Sequence, residues 1–490
     1  MPREDASTTT RGSGPAGGDQ GHGRTVAIVG GGISGLAVAE AIERLGAADG
    51  IPIRTIVLER EAAPGGKIKT QRVDGFVVET GPHGFLDKEP VVFELIDRLG
   101  LTSALVTADA SSARRYIVRG GCLRALPSSP PKFLVSGVLP AHQRFRVLLE
   151  PWVRQRAADA TDDESVFDFA SRRIGRGAAE VLVDAMVTGI FGGDPKALSL
   201  RSAFPRMMEL EATYGSLIRA QISITKARRR AGGTKAGVNP AMGGGLNSFR
   251  MGLGTLTDAL AARTHVRVGF DAAEIQVPFC VRGQGTEVRA DAVVLATPAD
   301  VMSGLLEPIA PDVAEIIKEI PYAPVSVVVH AFRRADLPST VVLDGFGFLI
   351  PHHEGREILG TIWASTVFPD HAPEGMVMLR TMVGGARRPE LMALDDAEML
   401  ERVRAELVKI MRIPPDTKPV FERVLRWPVA IPQYTIGHAS RVDAMDRLEA
   451  RIPGLFATGN AFRGVAMIAC IVDAQRVAER VVRHVAAKRT

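Results

Sequence analysis

At 490 residues, with 46% hydrophobic and 5% aromatic side chains, the chain is too long for one small core and too apolar for disorder, so two or three domains of α/β type are expected. The net charge of +5 is dispersed, with no aromatic-basic platform beside it, which argues against nucleic acid and leaves an acidic ligand or an anionic membrane surface. Cys122, Cys280 and Cys470 lie too far apart for a disulfide framework or a zinc site, and there is no run of 18 apolar residues, so an intracellular protein without a bound metal or a spanning helix is expected.

Residues 1–23 are rich in Gly, Ser, Thr and Asp and lack an apolar core. They read as a disordered leader rather than a secretory signal. The stretch TVAIVGGGISGL follows at 25–36. Thr25–Val29 predicts a buried strand, and a helix runs from Leu36 through Glu43. Between them Gly30, Gly32 and Gly35 stand at the spacing of the dinucleotide fingerprint, with Ile33 and Ser34 in the same turn. The first glycine allows the tight turn, the second lets a pyrophosphate approach, and the third lets helix and strand pack closely. The helix aims its positive end at the phosphates. A second strand, Arg54 to Leu58, ends in Glu59, an acid placed to hold a ribose hydroxyl.

Six residues after Glu59, the segment PGGKIKT supplies Gly65, Gly66 and Lys67. A nicotinamide site has no need of this second pair. FAD is longer, and a glycine pair followed by a basic residue can lie along its pyrophosphate and ribityl chain. Only one full fingerprint is present. The expectation is therefore a non-covalently held flavin, reoxidised by a small acceptor such as oxygen or a quinone.

Past Gly84 the character changes. Residues 131–156 place Phe133, Leu134, Val135, Val138, Leu139 and Trp152 among Lys132, Arg144, Arg146, Arg154 and Arg156. Such a mixture suits a surface lying on an anionic membrane, although a helix packed on its own domain would read the same way. Residues 161–230 read as helical, opening on a cap at Thr161 or Asp162. Met242 to Gly254 reads as a glycine-rich loop leading into the helical stretch Thr255 to Ala262. Strands return at Val266–Val268 and at Ala292–Ala296, the latter just before Thr297. Residues 325–385 alternate strands with glycine turns, an antiparallel pattern. Residues 391–412 are helical. GLFATGN, ending in Gly459 and Asn460, precedes a C-terminal helix. One nucleotide domain is thus sewn from three separated segments.

VAIVGGGISGL, IVLERE, PGGKIKT, GFVVETGPHGF and PGLFATGN together resemble the flavin amine oxidase and desaturase superfamily. RRYIVRGG (114–121), MVTGIFGGDPKALSL (186–200), GFGFLIP (345–351), LGTIWASTVFPD (359–370), TMVGGARRPEL (381–391) and WPVAIPQYTIGH (427–438) narrow the likeness to the protoporphyrinogen oxidase family. The resemblance implies a FAD enzyme that converts protoporphyrinogen to protoporphyrin late in haem synthesis. Coproporphyrinogen, or an amine or polyene, is the alternative substrate. It also implies a split Rossmann-like FAD domain (24–88, 245–310 and 434–490), an antiparallel-sheet substrate domain (89–110, 225–244 and 311–433) and a helical membrane-associating domain (111–224).

Residue by residue, the resemblance adds Gly81, Ala272, Thr297, Gly459, Asn460 and Val465 to the cofactor site. It makes Arg115 the clamp on a substrate propionate, since a guanidinium forks onto a carboxylate. Leu349, Ile362 and Met382, with Phe346, are then apolar contacts to the tetrapyrrole, and Gly189 and Gly192 lie in a loop close to it. His83, in GPHGF, sits near substrate and flavin and is the one side chain that could be read as a general base. No protein base is required when hydride leaves a methylene bridge while a pyrrole nitrogen supplies electrons, so no catalytic residue is assigned. The expected partners are a porphyrinogen, oxygen or a quinone, and peripherally an anionic cytoplasmic membrane. A homodimer is left open.

Overall fold

The computed structural model describes residues 24–127, 130–156, 162–230 and 245–487. The expected leader lies outside them. In chain order, β1 (Arg24–Val29), helix α1 (Ile33–Ala48) and β2 (Ile53–Leu58) come first, followed by the hairpin β3 (Thr70–Val73) and β4 (Phe76–Glu79). Next are β5 (Phe85–Leu86), β6 (Leu105–Thr107), β7 (Tyr116–Arg119) and β8 (Cys122–Ala125). Helices dominate 130–156 and 162–230, among them α2 (Asp184–Phe191). β9 (Leu246–Phe249), β10 (Val266–Arg267), β11 (Glu274–Gln276), β12 (Cys280–Gly283), β13 (Thr286–Arg289) and β14 (Ala292–Leu295) follow. The last elements are β15 (Tyr322–Arg333), β16 (Gly347–Leu349), β17 (Ile358–Trp363), β18 (Met376–Gly384), α3 (Asp396–Met411), β19 (Phe421–Pro432), β20 (Leu455–Ala457) and α4 (Met467–Ala487).

The apolar runs without alternation become strands buried on both faces. β10-β2-β1-β14-β20 form a five-stranded sheet in which every pairing is parallel. Helices α1 and α4 cover one face, and residues 270–320 cover much of the other, as an all-parallel sheet requires. The register sets Leu58, Val29, Leu295 and Ala457 in one row. Glu59, Gly30, Ala296 and Thr458 therefore leave the sheet together at its carboxyl edge, where open α/β sheets bind ligands.

A second sheet has the order β19-β15-β18-β17-β16-β7-β8 and is antiparallel except at the β16–β7 pair. Phe348, Trp363, Leu379 and Val328 fill one face together with residues of α3. On the other face, the β3–β4 hairpin covers β15 through Phe76, Val78, Val327 and Val329. Ala185 of α2, with Ile117 and Leu349, covers the β16–β7 end.

Three sequence expectations are corrected. The helical reading of 111–224 fails at its start, because β7 and β8 extend the second sheet. Strands of four residues joined to partners far away in sequence leave no local periodicity to read. Within the expected loop Met242–Gly254, residues 242–244 lie outside the described residues, but Leu246–Phe249 forms β9, paired with β5 and β6 and anchored by the fully buried Phe249. The helix Val166–Ile174 is capped by Ser165, whose hydroxyl accepts from the Asp168 amide at 3.0 Å. Asp162 is not its cap, and Thr161 lies outside the described residues.

The seam between the two sheets is polar. Glu79, at the end of β4, accepts from the Leu253 amide at 2.7 Å and the Thr70 hydroxyl at 2.8 Å. Burial nonetheless pushes its carboxyl up to about 7. Arg380 of β18 donates to the carbonyls of Glu79 and Gly81, and burial brings its guanidinium down to about 10. Between pH 4.5 and about 7 the folded chain thus holds a proton on Glu79 that the unfolded chain has lost. Stability contributed by this site falls across that window as pH rises. Glu79→Gln, whose amide oxygen still accepts from the Leu253 amide while its NH2 donates to the Thr70 hydroxyl, is expected to raise the apparent Tm at pH 8 by an amount on the order of 3 kcal/mol in stability and to match the parent near pH 4.5. Thermal unfolding followed by circular dichroism at the two pH values measures this.

Candidate active site

At the carboxyl edge, Gly30 takes φ +110°, and a Cβ there would lie 2.7 Å from the Ala296 carbonyl oxygen. A Cβ on Gly35 would lie 1.9 Å from the Gly30 carbonyl oxygen, so α1 sits directly on the turn. Ile33 and Ser34, at its first turn, are buried. The second glycine pair docks on the first: the Gly65 amide donates to the Gly31 carbonyl at 2.8 Å, and Gly32 bridges Gly65. A Cβ on Gly66 would stand 3.0 Å from the Gly32 Cα, and one on Gly81 would stand 2.0 Å from the Lys67 carbonyl oxygen.

Glu59 is buried, with one carboxylate oxygen accepting from the Gly31 amide at 2.7 Å and the other from the Glu61 amide at 2.8 Å. A carboxylate has about four acceptor positions, so capacity remains for ribose hydroxyls. The Phe270 amide donates to the Glu59 carbonyl at 2.9 Å, which brings the turn carrying Ala272 alongside. Gly32 faces open space: a Cβ there would meet nothing nearer than the Gly66 Cα, at 3.9 Å. At Gly459 (φ +126°) a Cβ would find nothing within 4 Å. The Thr297 hydroxyl is buried without a partner among the described residues. Asn460 turns its carbonyl to Tyr434, and Val465 stands just before α4. Open backbone, an unpartnered hydroxyl and a carboxylate with spare capacity along one edge fit the phosphates and ribose of a dinucleotide.

Lys67 departs from its expected position along the pyrophosphate. Its ammonium donates to the Ala430 carbonyl of β19 at 2.7 Å and lies over the Tyr322 ring. Burial lowers its pKa to about 8, against the attraction of Asp300. Lysine here ties the nucleotide segment to the second sheet.

The pairings Leu349–Gly360–Met382 and Gly347–Ile362–Arg380 put Leu349, Met382, Ile362 and Arg380 on one face. Leu349, Ile362 and Met382 are only half-buried, whereas Phe348, Thr361, Thr381 and Val383 between them are buried. The half-covered strip lies between the β3–β4 hairpin and α2. It faces the nucleotide segment, because Arg380 and Trp427 reach the carbonyls of Gly81 and Thr80. Gly189 admits Leu349: a Cβ there would lie 2.9 Å from both Leu349 methyls. Gly192 ends α2 in the left-handed conformation and lines a neighbouring cleft with Thr188, Arg356 and Arg387.

Arg115, just ahead of β7, stacks its guanidinium 4.6 Å from the Phe346 ring centroid. Burial lowers its pKa, and no carboxylate among the described residues bridges it. Arg114 pairs with Asp344, and Arg119 lies 3.6 Å from Glu354. His83 is fully buried beside Phe368 and His371, with neither ring nitrogen partnered among the described residues. Burial first, then Arg380 and His371, holds its pKa well below the usual value.

Sequence reasoning missed Gly31, Arg380, Trp427, Gln433, Tyr434 and His438. A Cβ on Gly31 would stand 2.8 Å from Glu59 Oε2, so the unbroken triplet Gly30–Gly32 was a signal. An arginine in the middle of the apolar strand MVMLRTMVG was another.

The class defined by this fold and edge is a dinucleotide-binding flavoprotein. The family model for flavin containing amine oxidoreductases matches residues 33–482, and the chain belongs to that family and is a FAD-binding oxidoreductase. It is 32% identical to the mitochondrial protoporphyrinogen oxidase of Nicotiana tabacum, over 96% of this chain and 97% of the relative. It is 28% identical to the coproporphyrinogen III oxidase of Bacillus subtilis (strain 168), over 91% and 95%. The fold is shared with a protein of Exiguobacterium sp. 255-15 provisionally assigned as a protoporphyrinogen oxidase, at TM-score 0.78, 23% identity and coverage of 94% and 99%. Cyclohexylamine oxidase from Brevibacterium oxydans IH-35A aligns at TM-score 0.67, 16% identity and coverage of 95% and 100%.

Glu59→Ala is expected to raise the dissociation constant for FAD about tenfold to a hundredfold, as loss of a charge-assisted hydrogen bond to ribose would. Turnover at saturating FAD stays near the parent value. Titration of apoprotein with FAD, alongside steady-state kinetics, separates the two.

Proposed function

We propose that the chain oxidises protoporphyrinogen IX to protoporphyrin IX in haem synthesis, with oxygen or another small molecule as final acceptor. The observation that carries this reading is Arg115 on the Phe346 ring, beside the half-covered apolar strip of Leu349, Ile362 and Met382. A flat, greasy ligand with a carboxylate at its edge matches that arrangement. Non-covalently bound FAD supplies the hydride acceptor. Arg115 holds a propionate, the strip excludes water from the ring faces, and Gly189 keeps α2 close enough to close the cleft. His83, kept neutral in the seam, transfers no proton in this scheme. The names of the plant and bacterial relatives support a porphyrinogen substrate. Arg114 and Arg119 are already paired with Asp344 and Glu354, which favours a substrate with few carboxylates over coproporphyrinogen.

The three nucleotide segments, 24–88, 245–310 and 434–490, form the FAD domain in this reading, and β7–β8 join the substrate domain. The remaining helical residues rest peripherally on the cytoplasmic membrane. No helix among the described residues is long and apolar enough to cross it. Val135, Phe145 and Trp152 are 83%, 69% and 75% exposed, and Lys132 and Arg154 are exposed with them. Val138 and Leu139 are instead buried, Arg144 and Arg146 donate to backbone carbonyls, and Arg156 pairs with Asp162 and Glu164. The docking face is thus smaller than residues 131–156 as a whole.

Anaerobic mixing with each porphyrinogen tests the substrate. Protoporphyrinogen is expected to bleach the flavin and yield porphyrin fluorescence. Bleaching by coproporphyrinogen alone selects the alternative, and bleaching by neither overturns the reading. Arg115→Ala is expected to raise KM for the porphyrinogen about tenfold or more, with a smaller change in kcat. Unchanged constants would place Arg115 outside the site. The parent is expected to sediment with anionic vesicles at low salt. A Phe145→Ser, Trp152→Ser double variant is expected to stay in the supernatant, because each apolar anchor and each surface cation contributes only about 1–3 kcal/mol.

A further inference from the structure

The segment Gln433–His438 touches both sides of the site without lying in either. The Gln433 side-chain amide donates to the Phe191 carbonyl at 2.8 Å, at the last residue of α2 before Gly192. The Tyr434 carbonyl accepts from the Ser199 amide at 2.8 Å, and the Ile436 amide donates to the Ala197 carbonyl at 3.0 Å. The two side chains that follow turn the other way. The Tyr434 hydroxyl donates to the Asn460 carbonyl at 2.6 Å and accepts from the Gly464 amide at 2.7 Å. His438, fully buried and stacked on Tyr434 with ring centroids 4.1 Å apart, sets Nε2 3.2 Å from the Phe462 carbonyl. A carbonyl only accepts, so Nε2 carries the proton there. Alternate residues 460, 462 and 464 of the loop between β20 and α4 are thus gripped by two stacked rings.

We infer that Tyr434 and His438 are positioning residues for the flavin, fixing the Gly459–Val465 loop in the shape that receives it. The inference rests on assigning that loop to the FAD site. A phenol suits the task because one oxygen gives a hydrogen to Asn460 and takes one from Gly464. Phenylalanine would fill the same space and leave both backbone groups without that partner. Gly464 adopts φ +121°, and a Cβ there would stand 2.4 Å from the Ala469 Cβ, so the loop is tightly specified. Burial pushes the phenol's pKa upward and the imidazole's down to about 4, which keeps both groups neutral over the working pH range. The same six residues hold the end of α2, so a shift in the flavin loop and a shift in the substrate-side glycines share one support.

The test compares Tyr434→Phe, His438→Gln, His438→Leu and Glu59→Ala with the parent. The readouts are FAD affinity of the apoprotein, the visible absorption band and midpoint potential of the holoprotein, and thermal unfolding of the apoprotein. Tyr434→Phe is expected to raise the FAD dissociation constant about tenfold, as loss of one or two neutral hydrogen bonds would, and to shift the flavin band and potential while apoprotein unfolding stays close to the parent. His438→Gln, which retains a donor, stays near the parent, whereas His438→Leu follows Tyr434→Phe. Unchanged affinity and potential in Tyr434→Phe, with Glu59→Ala impaired, overturns the inference and leaves the FAD site standing. Unchanged affinity in both overturns the site assignment as well. An affinity loss matched by an equal loss of apoprotein stability makes Tyr434 a packing residue and also overturns the inference.

Discussion

Two turns without side chains lie backbone against backbone, and the rest of the molecule is arranged around that contact. The Gly65 amide lies on the Gly31 carbonyl, and a Cβ on Gly66 would stand only 3.0 Å from the Gly32 Cα. The contact brings the residues after β2 back over the carboxyl edge of the parallel sheet. It sends the β3–β4 hairpin out over the second sheet, where Phe76 and Val78 meet Val327 and Val329. The carboxyl edge of the parallel sheet and the half-covered face of the second sheet are therefore held in relation by the same short piece of chain. Lys67 reinforces it by reaching Ala430 on β19.

The second sheet is covered unequally. Its α3 face is a dry core. Its other face is closed at two places and half-open between them, and Arg380, Glu79 and His83 lie along that gap. Burying Arg380, Glu79 and His83 there costs stability, most directly at His83, where neither ring nitrogen has a partner among the described residues. Such groups are concentrated at sites that do chemistry more often than in plain cores. The ring nitrogens of His83, without a partner among the described residues, and the raised pKa of Glu79 belong to this pattern.

How much of this was legible depends on whether the signal was local. The strand, glycines and acid at 25–59 follow from spacing alone, and 325–385 announces its strands through alternation and glycine turns. The joining of β7 to β16 is a pairing between distant segments, with nothing at 116–119 to mark it. Composition at 131–156 pointed to a mixed surface, but could not say that Val138 and Leu139 turn inward while Phe145 and Leu149 turn out. Lys67 looked like a phosphate contact because it follows glycines. Its reach to Ala430 depends on where β19 lies. Tyr434 and His438 were read only as part of a family string, since a tyrosine's two hydrogen-bond roles cannot be seen without the loop it faces.

The parallel sheet has a consequence in time. β20 and the Gly459 turn are made from the last part of the chain, yet they complete a row that begins at Val29. While the chain is being synthesised, the groove for the cofactor lacks one wall until residue 459 has emerged. Until then β14 waits with one edge unpaired. The parallel sheet is therefore complete only once Leu455–Ala457 can pair with β14.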